Sequence, residues 1–157
     1  LQYESISVSS PNVEPLKGIA PYVGGKRLLA GEIIKHIERT PHRAYVEPFV
    51  GMGGVFFRRR ERARVEVVND LSADVATLFR VLQRHYLAFV EMLRWQLTTR
   101  HEFERLVGTD PATLTDLERA ARFFYLQKTA YGGKVAGRNF GVSVAEGASF
   151  DITRIVP

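Results

Sequence analysis

Apolar residues at Leu29, Ile33, Ile34 and Ile37 recur at helical spacing and predict an amphipathic helix, which Thr40-Pro41 stops. Tyr45–Val50 follows as a short apolar run between turn signals; it reads as a buried strand, although periodicity alone does not separate it from a helix segment. Gly53-Gly54 opens a predicted short helix, VFFRRRER, with arginines near the end where the helix dipole favours cations. Arg64–Asn69 alternates polar and apolar positions as a second strand. Ser72 is placed to cap the next helix, whose stripe carries Val75, Leu78, Phe79 and Leu82. A further amphipathic stretch holds Tyr86, Phe89, Val90, Leu93 and Leu97. Thr115-x-x-Glu118 is a capping-box pattern that opens a helix through about Lys128. Beyond it, YGGKVAGRNFGVSVAEG contains five glycines and predicts a loop or irregular hairpin, before FDITRIVP reads as the start of another helix.

Strands that alternate with helices on the amino-terminal side argue for an α/β fold with a parallel sheet. Residues 1–14 read as an irregular segment, 15–100 as the α/β part and 101–157 as a helical, glycine-rich region. Two strands are too few to bury a parallel sheet on both faces. The expectation is a domain incomplete at its carboxyl end, with an unpaired sheet edge open to self-association.

At 157 residues the chain is long enough for one domain with a real core. No apolar stretch approaches the ~18 residues of a membrane span, and nothing at the start resembles a signal peptide. Cysteine is absent, which excludes disulfides and thiolate metal sites and suits a cytoplasmic location. The net charge is +5, and 17 of the 22 cations are arginine. Guanidinium forks suit phosphate oxygens, so nucleic acid is a candidate partner, although genomic base composition also enriches arginine.

The segment FVGMGG, Phe49–Gly54, carries the chemistry. An apolar strand enters a glycine turn, and Asp70 ends the next strand 19 residues after Gly51. Gly51 and Gly53 let backbone approach a ligand, and the carboxylate is placed to accept ribose hydroxyls. The alternative is an ordinary strand-to-helix connection. A dinucleotide site is disfavoured because Phe56 stands where the third glycine belongs, and GGK at 24–26 lacks the rest of a P-loop. The four histidines show no ligand spacing, so no metal site is expected, and Ser72 reads as a cap rather than a nucleophile. The basic run Arg58, Arg59, Arg60, Arg62 and Arg64 reads as a solvated face rather than a phosphate contact. The glycine-rich loop with Tyr131, Lys134, Arg138, Asn139 and Phe140 reads instead as a DNA contact, with a surface hairpin as its alternative.

PYVGGK at 21–26, EPFVGMGG at 47–54 and VVNDLSADV at 67–75, in this order, resemble the successive motifs of bacterial and phage DNA adenine-N6 methyltransferases. The likeness continues through FFYLQKTAYGGKVAGRNFGVS at 123–143, which is similar to the recognition region of phage-borne members. The resemblance implies a Rossmann-like methyltransferase domain, S-adenosylmethionine as cofactor and double-stranded DNA as partner, in a restriction-modification, phage or housekeeping setting. It implies Tyr22 and Lys26 at the cofactor, Phe49, Gly51 and Gly53 around its methionine end, and Asp70 on its ribose. From the residues alone, Lys26 reads as a solvated helix-start lysine and Tyr22 equally as a packing residue. The family's catalytic tetrapeptide, Asp or Asn followed by Pro-Pro and an aromatic, does not occur in the 157 residues. The expectation is therefore the amino-terminal portion of such an enzyme, holding no catalytic residue and inactive alone. The rivals are a non-catalytic cofactor-binding module and a small basic DNA-binding protein.

Overall fold

The computed structural model describes residues 12–16, 20–22, 24–26 and 28–141. Most of the irregular segment 1–14, the closing FDITRIVP and the last part of the glycine-rich segment lie outside them.

Two four-residue strands, β1 (Ala44–Glu47) and β2 (Val65–Val68), pair in parallel with Ala44 opposite Val65 and Glu47 opposite Val68. The backbone ladder continues beyond both strands: Asn69 N–H donates to the Glu47 carbonyl and Val50 N–H to the Asn69 carbonyl, each at 2.9 Å. That extension draws the glycine turn after β1 alongside the residues that follow β2. Helix α1 (Ala30–Arg39) precedes β1 and ends at Thr40, whose hydroxyl donates to the His36 carbonyl at 2.9 Å.

Ser72 stands at the N-cap of α2 (Ala73–Arg84), where Val75 N–H meets its hydroxyl at a long 3.5 Å. The predicted stripe is displaced by part of a turn: Val75, Thr77, Leu78 and Val81 are buried, while Phe79 and Leu82 pack at the margin. Helix α3 (Tyr86–Arg94) inserts Phe89 and Leu93 into the core and leaves Leu97 outside it, exposed. Helix α4 (Arg100–Gly108) has no counterpart in the sequence reading; Thr99 caps it by accepting from Glu102 N–H at 3.1 Å.

Helix α5 (Asp116–Thr129) is the centre of the molecule. Both halves of its capping box form, and α2, α3 and α4 all pack against it. Its buried polar side chains bind backbone of the surrounding segments: Arg122 Nε donates to the Leu106 carbonyl at 2.7 Å, and the Tyr125 hydroxyl donates to the Leu97 carbonyl at 3.0 Å. A buried donor without a partner costs a desolvation penalty, so each bond fixes where its neighbour lies. One hydrophobic cluster runs from Val50 and Met52 of the glycine turn through Phe124 and Leu126 of α5.

The predicted helix VFFRRRER is reduced to a single 3-10 turn, Phe56–Arg58. Arg59 breaks it by turning extended, and its guanidinium lies 3.6 Å over the Tyr45 ring while pairing with Glu66. Cation–π contact and ion pairing on the sheet outcompete four more residues of helix. Arg59 is therefore buried, not part of a solvated basic face; Arg60, Arg62 and Arg64 are exposed.

Candidate functional site

The carboxyl ends of β1 and β2 point to the same edge, and the chain bends there twice. Gly51 takes φ +52° and its N–H donates to Asp70 Oδ2 at 2.9 Å. The other oxygen of Asp70 accepts from Ser72 N–H, also at 2.9 Å. The carboxylate thus clamps both turns. An ionised carboxylate offers about four lone-pair sites, and these two bonds leave capacity for a ligand.

A cleft of about 720 Å³ opens at this edge, within the range of small-molecule sites. Tyr22, Lys26, Phe49, Gly51 and Asp70 all line it. The structure brings together five of the six residues expected at a cofactor. Gly53 does not line the cleft. It takes φ +70°, and a Cβ there would overlap the Phe57 ring, which stacks on Phe79 at 5.7 Å; its place is one of packing.

The Tyr22 ring packs against the glycine turn, and a Cβ on Gly51 would come within 3.3 Å of it. Burial, then the neighbouring Asp70 carboxylate, push the phenol pKa up, against the Ser72 hydroxyl, which lowers it. It stays protonated at neutral pH. Lys26 Nζ donates to the Phe49 carbonyl at 3.1 Å and stands 3.9 Å from Glu47 Oε1. The Phe49 ring itself is exposed at the cleft.

Sequence reasoning missed Glu47, Lys128 and Gly132 in the cleft wall. Glu47 is buried and accepts from the Tyr45 hydroxyl at 2.7 Å; burial, reinforced by this carboxylate, raises the Tyr45 pKa. An acidic last residue of a strand, next to Pro48, was the available signal. Lys128 and Gly132 come from α5 and the turn after it, and no local pattern announces that approach.

The loop 131–139 stands beside the cleft. Tyr131 N–H donates to the Asn139 carbonyl and Gly141 N–H to the Thr129 carbonyl, each at 2.9 Å, which closes its base. Tyr131, Lys134 and Asn139 are exposed on it. Arg138 is turned inward: Nε donates to the Lys134 carbonyl at 3.0 Å and Nη2 to Gln127 Oε1 at 3.1 Å. Burial lowers its pKa, but an arginine remains a cation. Among the described residues, no group of three or more His, Cys, Asp or Glu side chains converges on a point, and no helix is long and apolar enough to cross a membrane.

A parallel strand pair packed with helices, with a clamped glycine turn and a cleft at its carboxyl edge, is compatible with an α/β fold. Residues 22–148 match the D12 class of N6 adenine-specific DNA methyltransferases, and the chain belongs to that family. It is similar to the type II methyltransferase M1.LlaDCHI of Lactococcus lactis subsp. cremoris, with 25% identity over 129 residues covering 75% of this chain and 43% of the relative. It is also similar to the type II methyltransferase M.MjaIII of Methanocaldococcus jannaschii, with 24% identity over 136 residues covering 75% of this chain and 47% of the relative. The chain spans less than half the length of these two relatives.

Proposed function

We propose that this chain is the cofactor-binding and target-docking part of a Rossmann-like DNA adenine-N6 methyltransferase, with S-adenosylmethionine in the cleft beside Asp70. The observation that carries the reading is the Asp70 clamp: one carboxylate joins the two strand ends across the floor of a nucleoside-sized cleft. Its spare lone pairs accept the ribose hydroxyls. Gly51 leaves room for the methionine end against Tyr22, and Lys26 and Glu47 present opposite charges to an amino-acid zwitterion. Tyr131, Lys134 and Asn139 face double-stranded DNA, with Arg138 holding their loop in shape.

The cofactor supplies an electrophilic methyl on a sulfonium. This chain's residues orient it; they do not hold the target amine, because the Asp-Pro-Pro-aromatic motif is not among them. A flipped adenine needs that motif to stack the base and aim its N6 lone pair. The chain by itself accordingly binds the cofactor and transfers no methyl group.

Titration calorimetry with S-adenosylmethionine tests the reading. Wild type binds, and Asp70→Ala loses at least tenfold in affinity, the equivalent of about 1.4 kcal/mol. Because Asp70 also clamps two turns, Asp70→Asn is the companion: one oxygen remains to accept from the Gly51 N–H, while the negative charge that strengthens bonds to the ribose is gone. Unchanged affinity in both variants would remove the ribose role.

A further inference from the structure

Gln127 is fully buried in the last turn of α5, between the cleft and the loop 131–139. Its amide nitrogen donates to the Pro21 carbonyl at 3.2 Å and to the Gly133 carbonyl at 3.1 Å, while its oxygen accepts from Arg138 Nη2. Only this orientation works: flipped, the oxygen would face two carbonyls and the NH2 group a guanidinium. Pro21 and Gly132 both line the cleft, and Arg138 in turn holds the Lys134 carbonyl. The contact is close as well as polar. Gly133 takes φ +64°, and a Cβ on it would lie 2.9 Å from the Pro21 carbonyl carbon. One side chain therefore ties the cleft wall before Tyr22 to both ends of the exposed loop.

We propose that Gln127 is a positioning residue that couples the two surfaces, so that a ligand in the cleft sets the conformation of the Tyr131–Asn139 loop through the Pro21–Gln127–Arg138 bonds. The inference rests on the cofactor reading above. A ligand packed on Pro21 and Tyr22 restricts the Pro21 carbonyl; that stabilises one placement of the Gln127 amide, which stabilises Gly133 and Arg138. Coupling of this kind is reciprocal, so DNA held on the loop tightens the cofactor by the same factor.

Hydrogen exchange with S-adenosylhomocysteine as the probe tests it, alongside calorimetry of the same ligand. In wild type, saturating ligand slows exchange of the Tyr131 and Gly133 amides, both of which donate within the loop base, by about fivefold or more. Gln127→Leu, close in volume but unable to make any of the three bonds, binds the ligand within about threefold of wild type and loses the loop response. Arg138→Met, at a half-buried position outside the cleft, serves if the leucine variant does not fold; it loses the response at Tyr131, whose partner Asn139 adjoins Arg138, and keeps it at Gly133, which Gln127 holds directly. A purely structural role would lower the melting temperature of the variants and leave the ligand-induced protection in place; that result overturns the proposal. So does a wild-type loop that ignores bound ligand. Failure of the wild type to bind at all would show in the calorimetry and would fell the cofactor reading, and this inference with it.

Discussion

Gly51 and Gly53 are two positions apart and serve different ends. Both need positive φ, which costs an ordinary residue about 1–2 kcal/mol. Beyond that shared cost, a methyl on Gly51 meets the edge of Tyr22 inside the cleft, while a methyl on Gly53 meets Phe57 inside the core. Gly51→Ala is expected to weaken S-adenosylmethionine binding at least tenfold with a small loss of stability. Gly53→Ala is expected to lower the melting temperature by the larger amount, because Phe57 must leave its stack on Phe79. Calorimetry and thermal melts on the two variants read this directly, and equal behaviour would refute the division. The sequence assigns both glycines to one turn because their spacing is all it contains; which side each faces depends on a ring 29 positions away for Gly51 and on a ring four positions away for Gly53.

The helices show how local chemistry and packing divide the work. Thr115-x-x-Glu118 was readable because a capping box is closed within four residues. The Thr115 hydroxyl, then its backbone N–H, hold the Glu118 carboxyl below its ordinary pKa, and Arg105, then Gln96, do the same for Glu102 against burial. Both carboxylates are depressed in the folded state, so their stabilisation is present above the unfolded value of about 4.3 and is lost as pH falls through the lower folded values. Melts between neutral and acid pH should show that loss, shallower in Thr115→Ala; an unchanged acid limb would contradict it. Thr99→Ala, at the cap of α4, is expected to cost about 1 kcal/mol in urea unfolding. Helix α4 itself was invisible to periodicity, since only Phe103 and Leu106 turn inward. Helix α5 is buried along most of its length, so no polar face marks its role as the hub. The helix expected over VFFRRRER failed for the opposite reason: an arginine that propensity favours in a helix is worth more on Tyr45.

At the scale of the whole molecule, the sheet has two unequal faces. One carries Tyr45, Glu47 and Glu66 with Arg59 laid across it. The other exposes Val46 at 59%, Val65 at 53% and Val67 at 47%. Parallel strands are normally covered on both faces, and among the described residues this pair is not. The chain on its own is expected to self-associate through the valine face and the open strand edge. Sedimentation velocity should show concentration-dependent dimers or larger species that Val46→Lys with Val65→Lys suppresses; a monomer at every concentration would overturn the expectation.

The amino-acid sequence alone determined the order of the motifs, both strands, the caps at Ser72 and Thr115, the 19-residue step from Gly51 to Asp70 and hence the family. All of these depend on near neighbours or on fixed offsets along the chain. Tertiary structure alone decided that Asp70 holds two backbone amides, that Glu47 and Lys128 share one cleft, that Arg59 is buried, and that Gln127 reaches Pro21 from 106 residues away. The physical reason is common to them: a buried polar group must find its partner wherever packing brings one, and that place is written in the whole fold rather than in any window of residues.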